Sequence, residues 1–366
     1  MLRALRILAV NLLVFLAIFL GSMLLVSVGG DLWEVAKLSL GEGDKDERHT
    51  LPNYPDREYA AQIYEDYRKA KDGYFPILGW RKKPLSTRTV NIDAAGNRVH
   101  TIGRDNKPGA KSIGFFGAST TWGTGVDDNG TVPALFDEIT DDYEVTNYGQ
   151  NGYASRQHVA ELVNLMQLGK APDVVVFLAS GFDTIVLCNP VFGDHANTTQ
   201  ETPKLYEMVE NAGRKSYLFH NYVEPAIYTF RRVTGRQPYK AGEFHCDKDP
   251  DRAEMVARTM LGNWEIAHLL VTSYGGRFHV FLQPMANLGS PRTDYLKDDL
   301  SLPKHQQQKP VYERLNRLIA ERGYDWYTEL RHIFDGDERY YIDAVHVTRN
   351  GNQLLARKVA ETLAAK

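Results

Sequence analysis

A chain of 366 residues with a formal charge of −3 and 43% hydrophobic residues is too apolar to be intrinsically disordered. Its mean hydropathy of −0.39 excludes a polytopic transporter, and its near-neutral balance excludes a nucleic-acid binder that works by bulk positive charge. Two cysteines, Cys188 and Cys246, exclude a disulfide framework and a four-thiolate zinc site, and leave either one bridge or two separate buried thiols.

The apolar residues are not evenly spread. Ile7 to Val28 (ILAVNLLVFLAIFLGSMLLVSV) contains no charge. As a helix those 22 residues span about 33 Å, enough for a hydrocarbon core of roughly 30 Å. Arg3 and Arg6 precede the run while Asp31 and Glu34 follow it. The positive-inside bias then predicts a cytoplasmic N-terminus and a translocated remainder. The run is too uniformly apolar for a half-exposed core helix. It is also longer than the apolar region of a cleaved signal peptide, typically about 7–15 residues. Residues 1–30 therefore read as an uncleaved signal anchor.

Residues 31–110 read as a juxtamembrane stalk or collar. Asp44 to His49 (DKDERH) is most simply a solvated linker. Pro55 to Asp72 has helical character, with Tyr59, Ile63 and Tyr67 on one face. Pro76–Pro84 and Ala94–Asn97 are rich in turn residues. From residue 111 to 366 strands and helices alternate. Strands are expected at Ser112–Phe116, Tyr143–Asn147, Asp173–Ala179 and Arg277–Gln283. Helices are expected at Val132–Ile139, Arg156–Leu168, Glu254–Tyr274, Val311–Arg322 and Asn350–Ala365, the last with Thr348 as N-cap. This alternation predicts an α/β domain with a mostly parallel sheet covered on both faces, and a functional crevice at the carboxyl ends of its strands.

Four segments fall at those strand ends. The first, Gly117-Ala118-Ser119-Thr120-Thr121-Trp122-Gly123, puts Ser119 after a tight turn, either as a capping serine or as a nucleophile near free N–H groups. A phosphate loop would need a lysine that is absent, and a nucleophile elbow would need glycine where Thr121 stands. The second, Asn147 to Tyr153, contains Gly152, a turn glycine or an oxyanion donor. The third, Ser180-Gly181-Phe182-Asp183-Thr184, offers Asp183 as a helix cap or a catalytic group. The fourth, Tyr341 to Thr348, spaces Asp343 three residues before His346, so that the carboxylate can orient the imidazole. That spacing is not specific, because Asp46/His49, Glu265/His268 and Glu329/His332 share it. What separates Asp343/His346 is a strand-like segment before it and a capped helix after it.

In this order FFGASTTWG, NYGQNGYAS, SGFDT and DAVHVTRNG resemble the blocks of the SGNH (GDSL-type) serine hydrolases, over residues 111–366. The resemblance implies a three-layer α/β/α sandwich with a flavodoxin-like parallel sheet. It implies Ser119 as nucleophile, His346 as general base and Asp343 as its orienting carboxylate, with the N–H groups of Ser119 and Gly152 in the oxyanion hole. The family's third block reads G-x-N-D, with an oxyanion-donating Asn; here Asp183 stands in that place, and an ionised Asp cannot donate. Three consequences are open: a protonated Asp183, a different role for it, or impaired catalysis.

The sequence thus predicts a single-pass protein of a bacterial cytoplasmic membrane with an extracytoplasmic serine esterase domain. It would need no metal and no organic cofactor. Its substrate would be an acyl ester, by analogy an O-acetyl ester on envelope polysaccharide. A non-catalytic SGNH-like binding or assembly protein and an O-acetyltransferase using the same serine are the alternatives. Nucleic acid is not expected as a partner. Aromatics between Asp183 and Arg277, among them Tyr217, Phe219, Tyr222, Tyr228 and Phe230, are more simply core residues than sugar-stacking ones.

Overall fold

A computed structural model of the protein describes residues 2–39, 46–103, 107–179, 181–189 and 244–365. Ser180 and the five aromatics from Tyr217 to Phe230 lie outside the described residues. Two compact units are present, one containing the N-terminal helix and the other running from Asp46 onward.

The N-terminal helix α1 covers Leu2–Ser39. Its stretch Leu5–Gly30 is long and apolar enough to cross a membrane, with none of it buried. A helix that is apolar all round needs a nonaqueous environment on every side.

The second unit starts with α2 (Arg57–Lys69), the hairpin β1 (Asp72–Phe75) and β2 (Gly79–Lys82), and the short pair β3 (Leu85–Ser86) and β4 (Asn91–Ile92). Asp56 caps α2 by accepting from the Tyr59 N–H, and Ala60, Ile63 and Tyr64 form its buried stripe. Then follow β5 (Lys111–Gly117), α3 (Ser119–Trp122), α4 (Val132–Glu138), β6 (Tyr143–Asn147), α5 (Ser155–Gln167), β7 (Val174–Ala179) and α6 (Phe182–Leu187). Beyond residue 244 come α7 (Pro250–Ser273), β8 (Arg277–Leu282), α8 (Gln308–Arg322), β9 (Tyr327–Glu329) and α9 (Arg349–Ala364).

The main sheet has the order β6-β5-β7-β8-β9, and all its pairings are parallel. Numbered within the sheet this is 2-1-3-4-5, the flavodoxin-like order. Strand β7 shows why both faces must be covered. Its residues alternate between two cores: Val175, Phe177 and Ala179 join a cluster with α5, α7 and α8, while Val174, Val176 and Leu178 join one with α4 and α9. The fold is therefore a three-layer α/β/α sandwich.

The expected strands and helices are found within a few residues of their expected limits. Two features differ. Strand β9 has only three half-buried residues, too short to leave a periodic signal. The strand-like segment before Asp343 is not part of the sheet; it is a tight reversal in which Ile342 N–H donates to His346 O (2.8 Å) and Thr348 N–H to Tyr340 O (2.8 Å). Thr348 stands at the N-cap of α9, but its side chain bonds none of the helix N–H groups.

Cys188 and Cys246 are bonded as a disulfide across a sequence separation of 58, and both are buried. A loop of that length implies about 4 kcal/mol of chain-entropy stabilisation. Native mass measurement should therefore show no free thiol. Replacing both cysteines by Ala should lower the urea midpoint correspondingly.

Candidate active site

The site lies where β5 is flanked by β6 on one side and β7 on the other, the switch point at which chain direction along the sheet reverses. Ser119 follows β5 directly as the first residue of α3. The turn before it requires glycine at 117: a Cβ there would collide with the Thr121 side chain and meet Leu178 O at 2.7 Å. Gly152, in the loop after β6, has φ 76°, the left-handed region. Among the described residues, neither the Ser119 nor the Gly152 N–H donates to a backbone carbonyl. Neither N–H is thus committed to a carbonyl of the described fold.

His346 Nε2 is 2.7 Å from Ser119 Oγ, and His346 Nδ1 is 2.7 Å from Asp343 Oδ2. Asp343 also accepts from the backbone N–H groups of Val345 (2.9 Å) and His346 (2.7 Å) through Oδ1. The reversal at residues 341–348 produces this: it folds the carboxylate back over the next two N–H groups and sets the ring beside it. Burial alone would raise the Asp343 pKa, but His346 and the Arg48 guanidinium hold it well below the usual carboxylate range. The His346 side chain retains 15% exposure, so its ring edge borders solvent while Trp122 beneath the loop is sealed.

The other histidines at the same spacing pair differently. His49 Nδ1 contacts the backbone O of Asp46, not its carboxylate (2.8 Å). His268 stacks on Trp326, with ring centroids 5.3 Å apart, and Glu265 pairs with Arg322 and Tyr324. His332 meets Asp335, while Glu329 binds Asn316 and Arg331.

Asp183 is a correction. It was expected in the oxyanion hole. Its carboxylate instead accepts from the Ser155 N–H (3.0 Å) and from the Ser155 hydroxyl (2.6 Å), at the first turn of α5. Asn263 donates to that hydroxyl in turn (2.8 Å), which commits the Ser155 proton to Asp183. Complete burial pushes the Asp183 pKa up to about 6, against the pull of the Ser155 donors. A negative charge at the start of a helix is favoured by its dipole. The Asp183 carboxylate is thus committed to Ser155, and Phe182 beside it has no side-chain donor.

Several residues that position the site carried no sequence signal. Arg98, 2% exposed, donates to the carbonyls of Gly123 (2.5 Å), Val126 (2.7 Å) and Trp122 (3.2 Å). It pairs with Asp128 (2.8 Å), and its guanidinium carbon lies 4.4 Å from the centroid of the Trp122 ring. Asn147 donates to Thr121 O (2.9 Å) and accepts from the Gly149 N–H (2.9 Å), tying the end of β6 to the serine loop. Arg48, from the segment read as a solvated linker, donates to Asp343 Oδ2 at 2.5 Å. An isolated Arg or Asn in a turn-rich stretch looks like surface until its partners are known.

No family model matches the chain, and no curated protein matches it. Solved structures similar to it include a member of the lipolytic G-D-S-L family from Veillonella parvula (15% identity, covering 69% of this chain and 97% of that one, TM-score 0.38). A carbohydrate acetylesterase from Sinorhizobium meliloti is another (13% identity, 70% and 99% coverage, TM-score 0.38). A third is a mutant acetyl-xylooligosaccharide esterase from Geobacillus (12% identity, 70% and 96% coverage, TM-score 0.34). The likeness is to GDSL-type proteins and esterases.

Capping by Asp183 has a measurable consequence. A buried acid whose folded pKa lies above its unfolded value binds protons more tightly when folded, so its contribution to stability falls as pH rises from about 4 to 6. In Asp183→Asn that slope should disappear from pH-dependent urea unfolding. Activity at neutral pH should not rise, as it would if the carboxylate faced the oxyanion.

Proposed function

We propose that the protein is a membrane-anchored serine ester hydrolase of the SGNH type. The observation that carries this reading is the unbroken chain Ser119 Oγ, His346 Nε2, His346 Nδ1, Asp343. A histidine oriented by a carboxylate and bonded to a serine hydroxyl is the arrangement that makes serine a nucleophile near neutral pH.

In this mechanism Ser119 Oγ attacks the ester carbonyl as His346 Nε2 takes its proton. The negative charge of the tetrahedral intermediate is received by the N–H groups of Ser119 and Gly152. Collapse expels the alcohol, which leaves with the proton from His346. Water, deprotonated by the same imidazole, then releases the acyl group and restores the serine. Asp343 stays ionised throughout and favours the imidazolium formed at each proton transfer. The residues named supply a nucleophile, a base and charge stabilisation, so the sequence of steps balances without a metal or an organic cofactor.

The apolar helix α1 supports a signal-anchor topology, with the catalytic unit outside the cytoplasmic membrane of a bacterium. The natural substrate in this reading is an O-acetyl ester on envelope polysaccharide. A small acetyl ester is the simplest probe, since the partly exposed Ser119 has to admit the acyl group.

The full-length protein in detergent should hydrolyse a chromogenic acetyl ester, and a fluorophosphonate should label Ser119. Ser119→Ala should reduce turnover to background and abolish labelling. Asp343→Asn should lower kcat by about 10⁴ through the wrong imidazole tautomer. Turnover unchanged in Ser119→Ala would refute the mechanism, and absence of labelling in the native protein would favour a non-catalytic role. Product analysis with an added sugar acceptor separates hydrolysis from acyl transfer.

A further inference from the structure

Arg48 lies nine residues beyond Ser39, the last residue of α1, yet it reaches the carboxylate that orients His346. The short 3-10 turn Glu47–Thr50 holds it there. Its guanidinium grips Asp46 with both arms of the fork, Nε to Oδ1 (2.9 Å) and Nη2 to Oδ2 (2.6 Å), while Nη1 goes to Asp343 Oδ2 (2.5 Å). The guanidinium carbon lies 5.0 Å from the centroid of the Tyr64 ring of α2. Tyr64 in turn shares a hydrogen bond with Tyr54 (2.9 Å), and Tyr54 donates to Gly125 O (2.7 Å) in the serine loop. A planar fork held on two sides and stacked on a ring has little freedom left.

We propose that Arg48 is a positioning residue of the triad, making the segment that follows the N-terminal apolar helix a working part of the active site. This rests on the esterase reading above. Asp343 Oδ1 accepts from the two backbone N–H groups and lies 2.9 Å from His346 Nδ1, while Oδ2 lies 2.7 Å from the same nitrogen and accepts from Arg48. Arg48 stops the carboxylate from rotating away from the ring. It also offsets part of the negative charge that His346 faces. Asp46, on the far side of the guanidinium, has the opposite influence. The other polar and charged groups facing this cluster are Tyr54 and Tyr64, Asp298, whose carboxylate accepts from the Ala344 N–H (2.9 Å), and His305. None of them forms a hydrogen bond to the Asp343 carboxylate among the described residues.

The test is an NMR titration of His346 in the full-length protein in detergent, with isotope-labelled histidine and His346→Gln as the assignment control, run beside the kcat/KM profile. Arg48→Gln should move the His346 midpoint, and the acidic limb of kcat/KM, upward by roughly half to one pH unit. It should lower kcat about ten- to a hundredfold with KM little changed. Arg48→Lys should recover much of the midpoint and less of the kcat, because a single ammonium cannot grip both carboxylates. Asp46→Asn should move the midpoint downward, a sign that mere loosening of the fold would not give. It also carries the test if Arg48→Gln does not fold. Unmoved midpoints in the folded variants overturn the proposal. An inactive native protein whose His346 midpoint responds to Arg48 and Asp46 as stated overturns the esterase reading and leaves the Arg48 assignment standing.

Discussion

A carboxylate taken out of water is tolerated only when donors replace its hydration, and Asp343 meets that condition with groups from two distant parts of the chain. Its own reversal supplies the Val345 and His346 N–H groups and the imidazole Nδ1–H, and the segment at residue 48 supplies a guanidinium. The same bonds that make the charge tolerable determine where His346 points. Since His346 Nε2 then lies 2.7 Å from Ser119 Oγ, the setting of the Ser119 hydroxyl depends on how completely Asp343 is satisfied. Losing a donor from a group held this firmly would cost both stability and orientation.

Ser119 faces the complementary constraint. It must stand at the end of β5 while the sheet on either side stays sealed, and a loop that exposes a hydroxyl leaves several carbonyls turned inward. Arg98 takes up those of Trp122, Gly123 and Val126, and Asn147 takes up that of Thr121. Arg98 comes from the region before the sheet and forms isolated bridges with both Ile92 and Asn147. The residues from Asp46 to Gly103 therefore pack as part of the second unit's own structure. Without them the serine loop would carry buried, unpaired carbonyls.

What could be read in advance follows from the range of the forces involved. Helices and strands announce themselves through local periodicity, so β7 and α9 were legible to within a residue or two. Ser119, Asp343 and His346, which hydrogen bonds join in the structure, were legible through two of the four blocks of the resemblance, although the sequence spacing of Asp343 and His346 recurs three times elsewhere. Arg48 was not legible: its function depends on a partner 295 residues away, and in a run of charges an arginine reads as solvated. Asp183, whose role the sequence left open, has its partner at Ser155, 28 residues away.

The commitment of Asp183 has a consequence for the proposed oxyanion hole. With Asp183 committed to Ser155 and a phenyl ring at position 182, the third block contributes no side-chain donor from either residue. In the proposed mechanism the two backbone N–H groups of Ser119 and Gly152 then receive the developing charge. One belongs to the residue two after Gly117 and the other to a left-handed glycine, so in that mechanism both donors are set by the backbone. A donor fixed by the backbone resists rotation better than an amide side chain does. Removing the side-chain donor therefore costs most in the size of the stabilising field and least in its direction. With direction preserved, a lower rate is a more consistent outcome than the loss of catalysis. An ionised carboxylate aimed into the hole would have opposed the charge outright, and the capping of α5 by Asp183 removes that opposition.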